Sequence, residues 1–202
     1  MASVEADRAP AADLDQRVYL RGTWGEYVSL LGMRGESSVP RITFLRGVIE
    51  LMSPSWSHER IKKSIARLLE AYADERGLDL EGYGSWTVKS ASEERGAEAD
   101  ECYIVGADRK PGEVGRPDLA IEVVWTSGGL DKLEVYRGLG VGEVWFWSAG
   151  AITVHVLEAG RYREVERSAL LPELDLSLVA RLAVAENQRE AVRQLRDALR
   201  AR

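Results

Sequence analysis

One carboxylate, that of Glu122, stands in the middle of the largely apolar segment PDLAIEVVW, which runs from Pro117 to Trp125. A nearly continuous apolar run is typical of a central strand that is covered on both faces. Burial of a carboxylate costs on the order of several kcal/mol unless another group compensates its charge. Glu122 therefore either pairs with a buried arginine or lysine, or faces a cleft in which a metal ion stabilises it.

A second acidic group, Glu98-Ala99-Asp100-Glu101, comes directly before the apolar run CYIV. Strand alternation would place Glu98 and Asp100 on one face and Glu101 on the other. Carboxylates from neighbouring strands that point at one place supply the hard oxygen ligands that Mg²⁺ prefers. The alternative is an acidic turn that is exposed to solvent.

Lys132 follows the Glu122 segment closely, in the first turn of a predicted helix. A cation is slightly unfavourable there because the N-terminal end of the helix dipole is positive, whereas Asp131 suits that end. Lys132 is therefore either ordinary surface charge or a cation that reaches the same cleft as Glu122.

The composition limits the class of protein. The 202 residues suffice for one sizeable core, and we expect a flexible leader at residues 1–16 before a single domain at residues 17–202. A net charge of -6 argues against nonspecific coating of nucleic acid, but not against a nuclease, whose site needs clustered carboxylates. One cysteine and two histidines exclude an internal disulfide and a cysteine-rich zinc site. We expect a soluble cytoplasmic protein with no membrane partner.

Hydrophobic periodicity and turn residues predict a mixed order of helices and strands. The box Thr23-Trp-Gly-Glu26 predicts the start of a short helix, and ITFL and VIELM predict two strands that are joined at Arg46-Gly47. Further predicted elements are a helix from about Ser57 to Arg76, strands at Leu80 to Lys89, Ala99 to Val105 and Leu119 to Trp125, a helix at Leu130 to Leu139, strands at Glu143 to Trp147, Ile152 to Leu157 and Tyr162 to Glu166, and a helical end from about Ser177. The expected fold class is α/β, with a mixed β-sheet flanked by helices.

Several ordered blocks of the sequence resemble one protein family. They read VIELMSPSWSHE, GSWTVK, EADECYIV, PDLAIEVVWTSGGLDKLEVY and LGVGEVWFW. In order and spacing they resemble the Uma-two restriction-endonuclease family of the PD-(D/E)XK nuclease superfamily, over roughly Thr23 to Leu157. The resemblance implies a restriction-endonuclease-like core, a metal ion held by acidic residues, and hydrolysis of phosphodiester bonds.

The resemblance also implies roles for particular residues. Asp100 takes the place of the superfamily's motif aspartate and Glu122 that of the strand glutamate, so both would bind Mg²⁺ or Mn²⁺. Ala99 stands where the family usually has proline, and Val124 occupies the lysine position of Glu-x-Lys. The lysine that family members carry in the following helix matches Lys132. The catalytic residues implied are therefore Asp100, Glu122 and Lys132.

The family pattern also matches Glu50, His58 and Glu59. Glu50 interrupts the VIELM strand and is either a further ligand, a group behind the ligands, or part of a solvated strand face. His58 and Glu59 open the long helix, where Glu59 suits the dipole without any function. Lys89 ends a strand near the acidic turn and is the alternative lysine.

The sequence thus predicts a metal-dependent endonuclease of restriction type, with Mg²⁺ or Mn²⁺ as cofactor and DNA as substrate. The alternative, favoured by Val124 and the acidic net charge, is a nuclease-fold module that binds nucleic acid or another partner without turnover. Cleavage of a duplex needs two sites, and tryptophan-rich strands with an amphipathic C-terminal helix offer apolar surface for association. We therefore expect a homodimer.

Overall fold

The computed structural model describes residues 13–126 and 128–201, and its strands form a five-stranded and a six-stranded sheet. The five-stranded sheet contains β1 (Gln16–Arg21), β2 (Arg41–Leu45), β3 (Val48–Ser53), β5 (Thr87–Ser90) and β6 (Arg95–Glu98). Its order is β1-β3-β2-β6-β5, and each neighbouring pair is antiparallel. The hairpin predicted at Arg46-Gly47 joins β2 to β3.

The six-stranded sheet is mixed. It contains β4 (Leu80–Gly82), β7 (Glu101–Val105), β8 (Leu119–Val124), β9 (Glu143–Ser148), β10 (Ala151–Glu158) and β11 (Arg161–Val165). The order is β11-β10-β9-β8-β7-β4; β8 runs parallel to β9, and the other neighbours are antiparallel. The predicted α/β fold class with a mixed β-sheet flanked by helices is confirmed, and the strands are divided between two sheets.

The chain crosses between the two sheets within the region that was expected to form single strands. The segment Leu80 to Lys89 is divided, because β4 pairs in the six-stranded sheet and β5 in the five-stranded one. Gly84, with a φ of 55°, lies between them in a left-handed conformation that favours glycine. The chain crosses back after β6, and β7 starts at Glu101. Asp100 therefore lies at the junction of the two sheets.

The helices begin and end with the capping residues that the sequence provides. They are α1 (Trp24–Arg34), α2 (Trp56–Arg76), α3 (Pro111–Val114), α4 (Lys132–Leu139), α5 (Leu176–Ala183) and α6 (Gln188–Arg200). Thr23 and Glu26 form the predicted capping box of α1. The Ser55 side chain accepts the His58 amide at the start of α2, and Gly77 ends that helix in a left-handed conformation.

Side chains alternate along β8 between two apolar clusters. Leu119, Ile121 and Val123 belong to the cluster that includes α2, α5 and α6. Ala120 belongs to the cluster that includes α4. Because alternate residues of a strand share a face, Glu122 lies on the same face as Ala120, on the side of α4.

The first and last elements of the chain bear on the expected leader and on the expected association through the C-terminal helix. The apolar residues Ala191, Leu195 and Leu199 of α6 are buried in the chain's own core, so this face is not free for association. The homodimer stays a prediction. Of the predicted leader, residues 1–12 lie outside the described residues, while Gln16 already begins β1. Within residues 13–126 and 128–201, no helix is long and apolar enough to cross a membrane.

Candidate active site

Glu122 and Lys132 meet at a small cavity of about 40 Å³. Glu122 is 5% exposed on β8, and Lys132 is the first residue of α4. The Nζ atom of Lys132 lies 3.3 Å from Oε1 of Glu122. The polar residues that line the cavity are Arg17, Glu50, Glu122 and Lys132. Glu122 thus pairs with a lysine, as one alternative expected, and also faces a cavity; a metal ion in that cavity stays a prediction.

Tyr136 binds the same carboxylate from one helical turn further along α4. Its hydroxyl donates a hydrogen bond to Oε1 of Glu122, the oxygen that Lys132 also contacts. Burial, and then the charge of Glu122, raises the pKa of Tyr136 well above its usual value, so the hydroxyl keeps its proton. Lys132 and Tyr136 are four residues apart on one helix face, so α4 presents two donors to Glu122.

Glu50 brings a second carboxylate to the cavity. It is buried on β3, and its Oε2 accepts the backbone amide of Leu130 at 2.9 Å. The hydroxyl of Tyr19 on β1 also hydrogen-bonds to Glu50, and burial together with the Glu50 charge raises the pKa of Tyr19. Glu50 is therefore not part of a solvated strand face. It holds the loop that leads into α4 and so helps to position Lys132.

Asp100, the other predicted metal ligand, is not among the residues that line this cavity, and both of its carboxylate oxygens are engaged. Oδ1 accepts a hydrogen bond from Arg41, and Oδ2 accepts the backbone amide of Val123 at 2.5 Å. The Nε2 atom of His58 lies 3.0 Å from Oδ2. Through the Val123 amide, Asp100 is tied to the residue that follows Glu122 on β8. The charge of Asp100 is compensated by Arg41.

His58 links Asp100 to the N-terminal segment of the described chain. The ring of His58 is buried, and its Nδ1 lies 3.2 Å from Oδ2 of Asp15. Burial alone would raise the pKa of Asp15, but hydrogen bonds from His58 and the Ser55 amide lower it to about 2. The carboxylates of Asp15 and Asp100 thus bind opposite ring nitrogens of one imidazole. Sequence reasoning missed Asp15, because it fell in the expected leader.

The remaining candidates lie away from the cavity. Glu59 on α2 pairs with Arg41 at 2.6 Å and with Lys62 at 2.7 Å. Lys89 is exposed on β5 and is not among the residues that line the cavity. Glu98, expected on the face of Asp100, instead accepts the Ile42 amide at 2.9 Å within the five-stranded sheet.

The donor chemistry of the cavity fits a divalent cation. Glu50 and Glu122 bring carboxylate oxygens to one space, and Oε2 of Glu122 accepts no hydrogen bond from the described residues. A space of about 40 Å³ has room for a water molecule or a small ion. Among the described residues, no three His, Cys, Asp or Glu side chains converge as a metal-binding group. Such a donor set suits Mg²⁺, which binds one or two protein carboxylates and takes its other ligands from water and phosphate.

Comparison with known proteins identifies one family. The Uma2 family model, described as "Putative restriction endonuclease", matches residues 24–185, which is more than half of the chain. A crystal structure of "a putative nuclease belonging to DUF820" from Anabaena variabilis is similar, with 10% sequence identity and a TM-score of 0.49. The similarity covers 81% of this chain and 96% of that one. No curated protein matches the sequence.

Proposed function

The chain belongs to the Uma2 family of "Putative restriction endonuclease" proteins, and we propose that it is a metal-dependent endonuclease that hydrolyses phosphodiester bonds of DNA. The observation that carries this proposal is the contact between Lys132 and Glu122 at a cavity that Glu50 also lines. Nucleases of this mechanism need carboxylates for the cation and a positive group for the reacting phosphate. The cavity brings both kinds of group together.

The carboxylates would hold the cation. Glu122 and Glu50 face the cavity and are the first two ligands that we propose. Asp100 does not line the cavity, and to become a third ligand it would have to exchange Arg41 for the cation and move toward Glu122, because no three acidic side chains converge among the described residues. Arg41 keeps a partner after such an exchange, because its other terminal nitrogen pairs with Glu59 at 2.6 Å. When bound, Mg²⁺ or Mn²⁺ supplies Lewis-acid stabilisation of the charge that develops on the phosphate.

Lys132 would act on the attacking water and on the phosphate. Its ammonium group carries three donors on a flexible stem, and one of them points to Glu122. The others can orient a water molecule or bind a non-bridging phosphate oxygen. Val124 cannot do either, since it has no polar atom in its side chain. Lys132 therefore takes the role that the lysine of Glu-x-Lys has in the superfamily pattern.

A nucleic-acid-binding module without turnover is the second candidate. It is favoured by the state of Asp100, whose two oxygens are already bound by Arg41, His58 and the Val123 amide. A carboxylate that is fully paired within the protein has less reason to bind a cation. In that case the protein would bind DNA equally well in EDTA and in Mg²⁺.

Cleavage of supercoiled plasmid separates the two candidates. We expect wild-type protein to nick the plasmid in Mg²⁺ or Mn²⁺ but not in EDTA, and Glu122→Gln to leave it intact. Lys89→Ala is a matched control, because it removes an exposed lysine that does not line the cavity. Plasmid that is bound but uncut in both metals would favour the module over the enzyme.

A further inference from the structure

One oxygen of the Glu122 carboxylate carries both of the donors that α4 supplies. The Nζ atom of Lys132 lies 3.3 Å from Oε1, and the hydroxyl of Tyr136 donates a hydrogen bond to the same atom. Oε2 accepts no hydrogen bond from the described residues. A carboxylate oxygen has two lone pairs, so the two donors engage Oε1 while Oε2 stays available to a ligand. The two oxygens of Glu122 are therefore unequal.

The two donors on Oε1 differ in their freedom to move. Tyr136 is 1% exposed, and its ring packs in the apolar cluster that includes Cys102, Ala120 and Val144. A close-packed side chain of this size cannot change its rotamer without displacing its neighbours. Lys132 stands at the first position of α4, and its ammonium group ends a flexible four-carbon stem. Tyr136 is thus the fixed donor, and Lys132 is the one that can turn to another partner.

This difference agrees with the role proposed for Lys132. If Lys132 were the sole donor, its turn toward water or phosphate would leave a nearly buried carboxylate without a partner. Tyr136 remains on Oε1 after such a move and keeps Glu122 in place. Its hydrogen bond also draws electron density from Oε1, which makes Oε1 the weaker ligand for a cation and Oε2 the stronger one.

Glu50, the other carboxylate of the cavity, is also partly engaged. Its Oε2 accepts the Leu130 amide at 2.9 Å, and the Tyr19 hydroxyl hydrogen-bonds to the same carboxylate. Mg²⁺ suits a site with few free protein oxygens, because it keeps several waters and has short bonds of about 2.0 to 2.1 Å. Ca²⁺ takes about six to eight oxygens at about 2.3 to 2.6 Å and can use both oxygens of one carboxylate. A glutamate that is limited to one oxygen therefore disfavours Ca²⁺ more than Mg²⁺.

We propose that Tyr136 is a positioning residue that makes Glu122 a one-oxygen ligand and so favours the binding of Mg²⁺ over Ca²⁺ at the cavity. This inference rests on the proposed metal-dependent function and specifies which cation the site takes. Removal of the Tyr136 hydroxyl frees Oε1 and leaves room beside it for the longer bonds of Ca²⁺. A tyrosine with a purely structural role would change the affinities for both cations in the same proportion.

Titration calorimetry with Mg²⁺ and with Ca²⁺, without nucleic acid, gives the ratio of the two dissociation constants for each variant. We expect Tyr136→Phe to shift this ratio toward Ca²⁺ by about tenfold. Tyr103→Phe is the matched control, because Tyr103 is fully buried and its hydroxyl has no hydrogen-bond partner among the described residues. Tyr103 belongs to the apolar cluster that includes α2, so the ratio for Tyr103→Phe should equal that of wild type.

Infrared difference spectroscopy tests the coordination in the wild-type chain and so does not depend on the folding of Tyr136→Phe. The carboxylate bands of Glu122 are those that are lost in Glu122→Gln. With Mg²⁺ bound, the symmetric and antisymmetric stretches of Glu122 should be widely separated, as one-oxygen coordination requires. Coordination through both oxygens would bring the two bands together.

Two results would overturn the inference alone: a ratio of dissociation constants that is the same in Tyr136→Phe and wild type, or closely spaced carboxylate bands of Glu122 in Mg²⁺. An equal shift of the ratio in Tyr103→Phe would do the same. In each of these cases a cation still binds, and the proposed function stands. If neither cation bound to the wild type, the proposed metal-dependent function would fall together with the inference.

Discussion

Nζ of Lys132 lies 3.3 Å from Oε1 of Glu122, although the two residues are 10 positions apart and belong to different elements. In a Glu-x-Lys strand, both side chains share one face because they are two residues apart. Here Val124 occupies the second place, and the start of α4 brings the ammonium group to the glutamate instead. The contact between Lys132 and Glu122 therefore joins two elements, α4 and β8.

This pairing predicts a specific loss of activity. Lys132→Ala should lower the rate of cleavage by on the order of 10²- to 10³-fold, because it removes the cation beside the developing phosphate charge. Binding of Mn²⁺, measured by titration calorimetry, should stay close to wild type because the carboxylates remain. Lys89→Ala should change neither quantity. If Lys89→Ala abolished cleavage and Lys132→Ala did not, the roles of the two lysines would be exchanged.

Asp100 gives a prediction about stability without metal. Asp100→Asn should lower the free energy of unfolding by about 3 kcal/mol, because it removes the buried one of the two carboxylates that pair with the guanidinium of Arg41 and leaves only the half-exposed Glu59. Glu101→Gln next to it should have a smaller effect, since burial raises the pKa of Glu101 and so disfavours the charge that the substitution removes. Urea denaturation in EDTA measures both. If both variants lost the same free energy of unfolding, the ion pair between Asp100 and Arg41 would not be the cause of the loss.

Arg41 should compete with the cation for Asp100. Arg41→Met should therefore raise the affinity for Mn²⁺ by about tenfold, even if it lowers the stability of the metal-free protein. Arg34→Met is the matched control, because Arg34 pairs with Glu98 rather than with a proposed ligand. An affinity for Mn²⁺ that is unchanged or weaker in Arg41→Met would exclude Asp100 from the ligands.

The lowered pKa of Asp15 predicts how the stability of the protein depends on pH. Its pKa of about 2 in the folded protein lies below its usual value of 3.8, so the ionised form stabilises the fold. That contribution, of roughly 2 kcal/mol, is present above about pH 4 and is lost as the pH falls toward 2. Asp15→Asn should thus be less stable than wild type at pH 7 and similar to it near pH 2. Asp197 is exposed, so the free energy of unfolding of Asp197→Asn should match that of wild type at every pH. A difference in stability between Asp15→Asn and wild type that does not change with pH would contradict the lowered pKa of Asp15.

The sequence predicted the elements whose patterns are local. The β2–β3 hairpin, α2, β8 and α4 each have an apolar period or a capping residue that identifies them, and the structure contains all four. β1 was missed because most of its side chains are exposed and its partner, β3, lies far along the chain. The division of Leu80 to Lys89 between two sheets was missed for a similar reason, since strand pairing depends on contacts distant in sequence.

In the candidate site, too, the residues with a local signal could be predicted and those defined by distant contacts could not. Glu122 could be singled out because a charge in an apolar strand is conspicuous, and Lys132 because it follows closely on that strand. Asp15 could not, because its partner His58 is 43 residues away and nothing in the local sequence marks it. Arg41 was missed likewise, since an arginine at the start of a strand gives no sign that it is buried against Asp100.

The melting temperature in Mn²⁺ tests most directly the claim that Glu122 belongs to a metal site. A cation that binds only the folded state at about 100 times its dissociation constant stabilises it by about 2.7 kcal/mol. For a chain of this length, that raises the melting temperature by roughly 5 to 10 °C. Glu122→Gln keeps the shape of the side chain and can still accept the Tyr136 hydrogen bond, so it should fold but show no such rise. Equal melting temperatures of the wild type with and without millimolar Mn²⁺ would contradict the account.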